Sequence, residues 1–186
     1  FFRNPDARDI FLSRYSSTTG ATQNVVTIGG TGDRDFGQAL AVDESTGIVY
    51  MTGAFDGVAD FGPASGNSLT AQGRSDVFVA AYNSSLELQW AVNVGGPGED
   101  VGETIAIGPN GNIYVSGWFN ETADFDPSDE GTFERTSAGD DDAFVLTLDA
   151  NGQFLAVASI GGTGSDQSLG LGAVSYTHLR AHETHN

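Results

Sequence analysis

The chain has 186 residues, including 26 glycines, and carries a formal charge of −18 from 25 acids against seven bases, all of them Arg. So acidic a surface repels phosphate backbones and argues against nucleic-acid binding, and the absence of Cys excludes disulfides, thiolate chemistry and cysteine-held metals. No apolar run approaches the roughly 18 residues of a membrane-spanning helix, and the chain opens at Phe1-Phe2 without a signal peptide, as an internal piece of a longer protein would.

Short apolar runs punctuated by Gly, Asn, Asp and Ser make this an all-β sequence, and no window carries the i, i+3, i+4 spacing of a helix. Glycine pairs stand at 29, 95 and 161, 66 residues apart each time, and open the related segments GGTGDRDFGQALAV, GGPGEDVGETIAI and GGTGSDQSLGLGAV. Self-similarity at a fixed period marks a repeat architecture. Residues 1–28 read as the second half of a unit, with strands at Asp9–Ser13 and Asn24–Ile28. A complete unit at 29–94 has strands Gln38–Val42, Ile48–Phe55, Asp76–Tyr82 and Leu88–Val94. A second at 95–160 has Thr104–Ile107, Ile113–Phe119, Ala143–Leu148 and Phe154–Ile160. Residues 161–173 start another unit, with one strand near Leu169–Ala173.

Connections such as Gly108–Asn112 and Asp149–Gln153 are short, and Asn110-Gly111 and Asn151-Gly152 suit the positive φ values of tight hairpins. Strands joined in this way are antiparallel neighbours, so each unit reads as a four-stranded meander. Along Asp76–Tyr82 both alternating sets are apolar: Val77, Val79 and Ala81, then Phe78, Ala80 and Tyr82. A sheet with one wet face would alternate polar and apolar residues, so these sheets are expected to be covered on both faces. Radial stacking gives a partial β-propeller with the units as blades; a β-solenoid is the alternative.

The run Ile105-Ala106-Ile107…Gly111-Asn112-Ile113-Tyr114-Val115-Ser116-Gly117 after GGPGED resembles the bacterial β-propeller repeats known as SBBP repeats, as do Asp124-Phe125-Asp126-Pro127 and Asp142-Ala143-Phe144-Val145. The resemblance spans residues 1–173. It implies a propeller in a secreted or cell-surface bacterial protein and no particular reaction. From Val174 the text leaves the repeat: Val174–Thr184 resembles the translation of a transposase adapter used in sequencing-library preparation, so 174–186 reads as a non-native tail. All three His residues (178, 182 and 185) lie in it, and without it the chain has no His, Cys or Lys.

Three features are candidates for chemistry. The glycine–acid turns match the start of a calcium-binding nonapeptide, but that motif works in nine-residue tandem, which a 66-residue period cannot provide. The structural reading is a turn in which Gly takes φ > 0 and Asp caps backbone N–H groups. Asp60, Asp124 and Asp126, in the Asp-Phe-(Gly/Asp)-Pro loops, could offer hard oxygen ligands to Ca²⁺, or form Asx turns over Phe61 and Phe125. Trp90 and Trp118 are not repeated between units and could form a sugar-stacking platform or a protein contact, or fill a packing gap. Without His, Cys or Lys the common nucleophile–base arrangements are unavailable. The expected function is a non-catalytic surface module that binds or displays, with protein or glycan as partner alongside the further blades of its own chain. A carbohydrate-active propeller enzyme using Asp/Glu and a calcium-stabilised spacer are the alternatives. The outermost sheets are expected to expose apolar faces and to promote association.

Overall fold

The computed structural model describes residues 8–62, 67–128 and 131–173; the tail at 174–186 lies outside them. The described residues form twelve strands and no helix, arranged as three antiparallel four-stranded sheets. The middle sheet is a meander of β3 (Phe36–Asp43), β4 (Ile48–Phe55), β7 (Asp76–Tyr82) and β8 (Leu88–Val94). The last is a meander of β9 (Val101–Ile107), β10 (Ile113–Asp124), β11 (Glu134–Leu148) and β12 (Phe154–Ile160). These are the two complete units read from the sequence.

The first sheet departs from the expectation. It contains β1 (Ile10–Tyr15) and β2 (Thr22–Gly30), but its other two strands are β5 (Val58–Asp60) and β6 (Ser68–Thr70), borrowed from the following unit. The stretch read as a long connection is therefore a hairpin that reaches back over the preceding sheet, where Gly29 pairs with Asp60 and Gly30 with Ala59. The second unit repeats the arrangement. Its β10 and β11 run past the expected ends at Phe119 and Ala143, and Gly95 and Asp124 exchange two backbone hydrogen bonds of 3.0 and 2.9 Å. The reason is backbone satisfaction: the glycine pair ending each sheet leaves N–H and C=O groups that the returning hairpin takes up.

The sheets stack face to face with one polarity. Ile10, Leu12 and Ile28 of the first pack with Phe78, Ala80 and Tyr82 of the second. Val77, Val79 and Ala81, on the other face of β7, pack with Phe144, Leu146 and Leu148 of the third. All seven residues of β7 are buried, so the expectation of two covered faces holds there. On β10 the inner residues Ile113 and Val115 are buried, while on the outer face Tyr114 is part-exposed and Ser116 is buried beneath Ser168. Each seam contains the same three rings. Phe61 lies 5.6 Å from Phe55 and 5.0 Å from Phe78, and Phe125 lies 5.3 Å from Phe119 and 5.1 Å from Phe144, with matching interplanar angles. Phe61 and Phe125 come from the returning hairpins, so the Asp-Phe-x-Pro motif plugs the seam. The strand expected at Leu169–Ala173 is absent: that segment has no regular structure.

Positive φ falls on Gly47, Gly111 and Gly152, and at the matching turn position of β7–β8 on Leu86 (φ 59°); Asn110 and Asn151 keep negative φ. A left-handed non-glycine residue costs about 1–2 kcal/mol, but Leu86 is buried in the core between the first two sheets, and truncating a buried Leu costs about 2–5 kcal/mol. Burial wins. Leu86→Gly should therefore destabilise the fold by about 1–2 kcal/mol in urea unfolding, whereas a stabilised variant would show that backbone strain dominates.

Candidate functional site

The glycine–acid turns cross from one sheet to the next, and their glycines are required by close approach. None of those at 29, 30, 32, 95, 96 or 98 has positive φ, which corrects the expectation from sequence. A Cβ on Gly96 would lie 2.0 Å from the Thr122 carbonyl oxygen, and one on Gly30 1.7 Å from that of Val58. The returning hairpin occupies that space.

The expected capping by Asp is present and goes further than a turn requires. Gly96 N–H donates to Asp100 Oδ2 (2.8 Å) and Asn120 N–H to Asp100 Oδ1 (3.2 Å), so one carboxylate ties the turn to the hairpin. Asp76, which opens β7, accepts from Gln72 N–H (3.1 Å) and Asn93 Nδ2 (2.6 Å). Both side chains are buried and both crowd the space over Gly95, where a Cβ would come within 2.7 Å of each. The same pair recurs at the other crossings. Asp9 and Asp35 flank Gly29; Asp142 lies over Gly161 while Asp166 Oδ2 accepts from Gly162 N–H (2.8 Å).

Burial pushes the Asp100 carboxyl up to about 7, against the pull of the Gly96 and Asn120 amides and with help from the charges of Asp76 and Glu121. Burial likewise raises Asp76 and Asp35 to about 6 each. Near Asp35 the amides of Asp56 and Gly30 favour the charged form, although neither carboxylate oxygen has a hydrogen bond of full geometry. Backbone N–H donors and desolvation act in opposite directions on these carboxyls, and desolvation prevails.

Asp60, Asp124 and Asp126 do not form a cluster with three or more ligating groups; none of that kind occurs among the described residues. Asp60 ends β5, and its Oδ1 accepts from Gly62 N–H (3.2 Å). Asp124 ends β10, and its Oδ1 accepts from Asp126 N–H (3.0 Å) and Phe133 N–H (2.7 Å). Asp126 Oδ1 accepts from Ser128 N–H (3.0 Å). These are Asx turns that shape the hairpin tips over Phe61 and Phe125.

Trp90 and Trp118 lie at different places. Trp90 Nε1 donates to the Ala150 carbonyl of the next unit (3.0 Å), and its ring packs under Gly152. One period earlier Asn24 does the same work, its Nδ2 donating to the Ser85 carbonyl. Trp90 is thus a strut between sheets whose role is repeated although its identity is not, a relation that residue-type matching missed. Trp118 is half-buried on the last sheet, where its Nε1 donates to Glu103 Oε1 (3.3 Å).

A shallow groove of about 220 Å³ opens beside the Trp90 strut, lined by Val92, Asp126, Pro127, Ser128, the Asn151–Gln153 turn and Phe154. Carboxylate, carboxamide and hydroxyl groups meet an apolar floor there. The equivalent positions one period earlier have Gly62 for Asp126 and Leu86 for Gly152, so these two lining residues do not recur. No protein-family model matches the chain, and no curated protein matches it as a relative.

The buried pairs set a pH dependence. A carboxyl whose folded pKa is raised binds more protons folded than unfolded. Its contribution to stability is therefore full below the ordinary carboxylate range and is lost as pH rises through the folded value. Tm should be higher at pH 5 than at pH 8, falling through the window near 6 to 7 set by Asp76, Asp35 and Asp100. Measuring at about 1 M salt, where the Debye length is about 3 Å, screens the surface acids. Asp100→Asn should lower Tm and flatten the slope; a slope unchanged in the variant would assign the effect to other groups.

Proposed function

We propose that the chain is the repeat portion of a β-propeller that serves as a non-catalytic, secreted or cell-surface module and engages glycan or protein. Support for the propeller comes from how the sheets approach. Close backbone contact between the last two sheets is concentrated where β9, the first strand of its unit, meets β3 and β4, the first two of the unit before, so the stack narrows on that side. A radial array needs that wedge, and a straight solenoid does not.

The observation that carries the non-catalytic reading is the position of the acids. The recurring carboxylates sit in the seams, where backbone N–H groups or burial engage them. A repeated carboxylate held inside a seam is part of the framework. Chemistry that distinguishes one unit from the next is found instead at the groove of Asp126, Ser128, Asn151 and Gln153. Polar groups of this kind beside an apolar surface suit the hydroxyls and C–H faces of a sugar, or a polar peptide loop. The bacterial origin and surface location rest on the resemblance to SBBP repeats.

The test is saturation-transfer NMR of the full chain with a panel of neutral oligosaccharides. Saturation of at least one sugar, lost in Asp126→Ala with Gln153→Ala, is the expected result. Release of reducing ends during the same incubation would replace this reading with a glycoside hydrolase.

Calcium gives a separate check. The loop carboxylates already accept backbone N–H bonds, so Tm should not move between chelator and millimolar CaCl₂. An upward shift lost in Asp124→Asn with Asp126→Asn would establish the spacer reading.

A further inference from the structure

We infer, on the reading of the groove beside Trp90 as a ligand site, that it selects a cationic amino sugar over the neutral N-acetylated counterpart. Its walls come from the tip of the hairpin that returns from the last unit, the Asn151–Gln153 turn and Val92 of β8, all within the two complete units.

The polar atoms there are mostly acceptors. Asp126 is half-buried; its Oδ1 accepts from Ser128 N–H (3.0 Å), and its Oδ2, which lies over Gly131, has no donor among the described residues. Asn151 turns its Nδ2 toward Asp149 Oδ2 (3.5 Å), which leaves its Oδ1 without a donor as well. No Arg, Lys or His lines the groove. A sugar hydroxyl donates one hydrogen bond, whereas an ammonium donates three and meets a carboxylate in a charge-assisted pair. N-acetylation removes that charge and puts a carbonyl among groups that already accept.

Val92, Pro127 and Phe154 form an apolar floor suited to the C–H face of a pyranose ring. Phe154 stacks on Phe133 with ring centres 4.9 Å apart, and the Arg135 guanidinium carbon lies 4.4 Å from the centre of Phe133. The ring pair beside the groove thus already holds one cation on a π face. Arg135 also donates from Nη1 to the Glu134 carbonyl (2.9 Å) and is not part of the lining. In the segments that build the walls, Asp124, Asp126 and Asp149 outnumber it. The net charge of −18 draws cations to the whole surface, so selection at the groove depends on Asp126.

The experiment is an NMR titration of the nitrogen-labelled full chain with the disaccharide of glucosamine and with its diacetylated form. It is run at about pH 6, where such amines are protonated. The two ligands share one backbone and differ in charge. A hydrogen bond to a charged group is worth about tenfold in affinity, so the amine form should bind about tenfold more tightly, with the largest shifts at Gly152 and Gln153. Asp126→Asn, which can keep the turn to Ser128, should remove the preference. Glu44→Gln takes the same charge from the exposed β3–β4 turn and should retain it. Gln153→Lys, on an exposed turn, should exclude the amine form and serves if Asp126→Asn fails to fold. Equal affinity for the two forms overturns the proposal, and if Gln153→Ala weakens both, the groove stands as a neutral-sugar site. A preference untouched by Asp126→Asn also overturns it, since net charge alone would then explain the binding. If neither form binds, the proposal falls, and the groove falls with it only when the neutral oligosaccharides are silent too.

Discussion

The structure depends on one close approach: a sheet-ending glycine pair lies against the backbone of a hairpin that returns from the next unit. At Gly96 the hairpin's Thr122 carbonyl oxygen occupies the place a Cβ would take, and Gly95 exchanges two hydrogen bonds with Asp124. That contact brings Phe125 over the seam between Phe119 and Phe144, and brings the Asn120 amide to Asp100. Sheet stacking, aromatic plug and carboxylate latch are therefore consequences of a single geometry; the approach and the plug are made at both crossings, and the latch has its two hydrogen bonds at Asp100.

The latch shows why acids can be internal here. Desolvating a carboxylate is costly unless donors replace water, and at Asp100 two backbone amides do so. The replacement is incomplete, because burial removes more hydration than the amides restore, with the charge of Asp76 adding a smaller push at Asp100, and the balance appears as proton affinities near neutrality. A purely apolar seam would be less sensitive to pH. It would also lack the directional bonds that hold the crossing in register.

Much of the fold was legible from local pattern. Alternation along Asp76–Tyr82 identified a strand buried on both faces, and the turn residues of Asp149–Gln153 placed a tight connection. The site was less legible. Asp60 and Asp124 have the residue type of calcium ligands, yet their oxygens serve the turns around them. Trp90 looked singular because its counterpart is Asn24, but both side chains offer an N–H to the next unit's turn, and residue identity conceals that equivalence. Asp126 and Gln153 lie 27 residues apart, and nothing in either segment announces that they border one groove.

The sequence by itself determined the period, the main strands of the two complete units, the meander within each and the two apolar faces of Asp76–Tyr82, because these depend on side-chain alternation and turn chemistry over a few residues. Tertiary structure decided where the long connections go, why the glycines are glycines and which acids are internal. Those answers depend on backbone segments some 25 to 30 residues apart meeting within van der Waals distance, as Gly95 meets Asp124 and Gly30 meets Ala59. A glycine needed for close approach reads the same along the chain as one needed for positive φ. Only the neighbour that fills the space of the missing Cβ tells them apart.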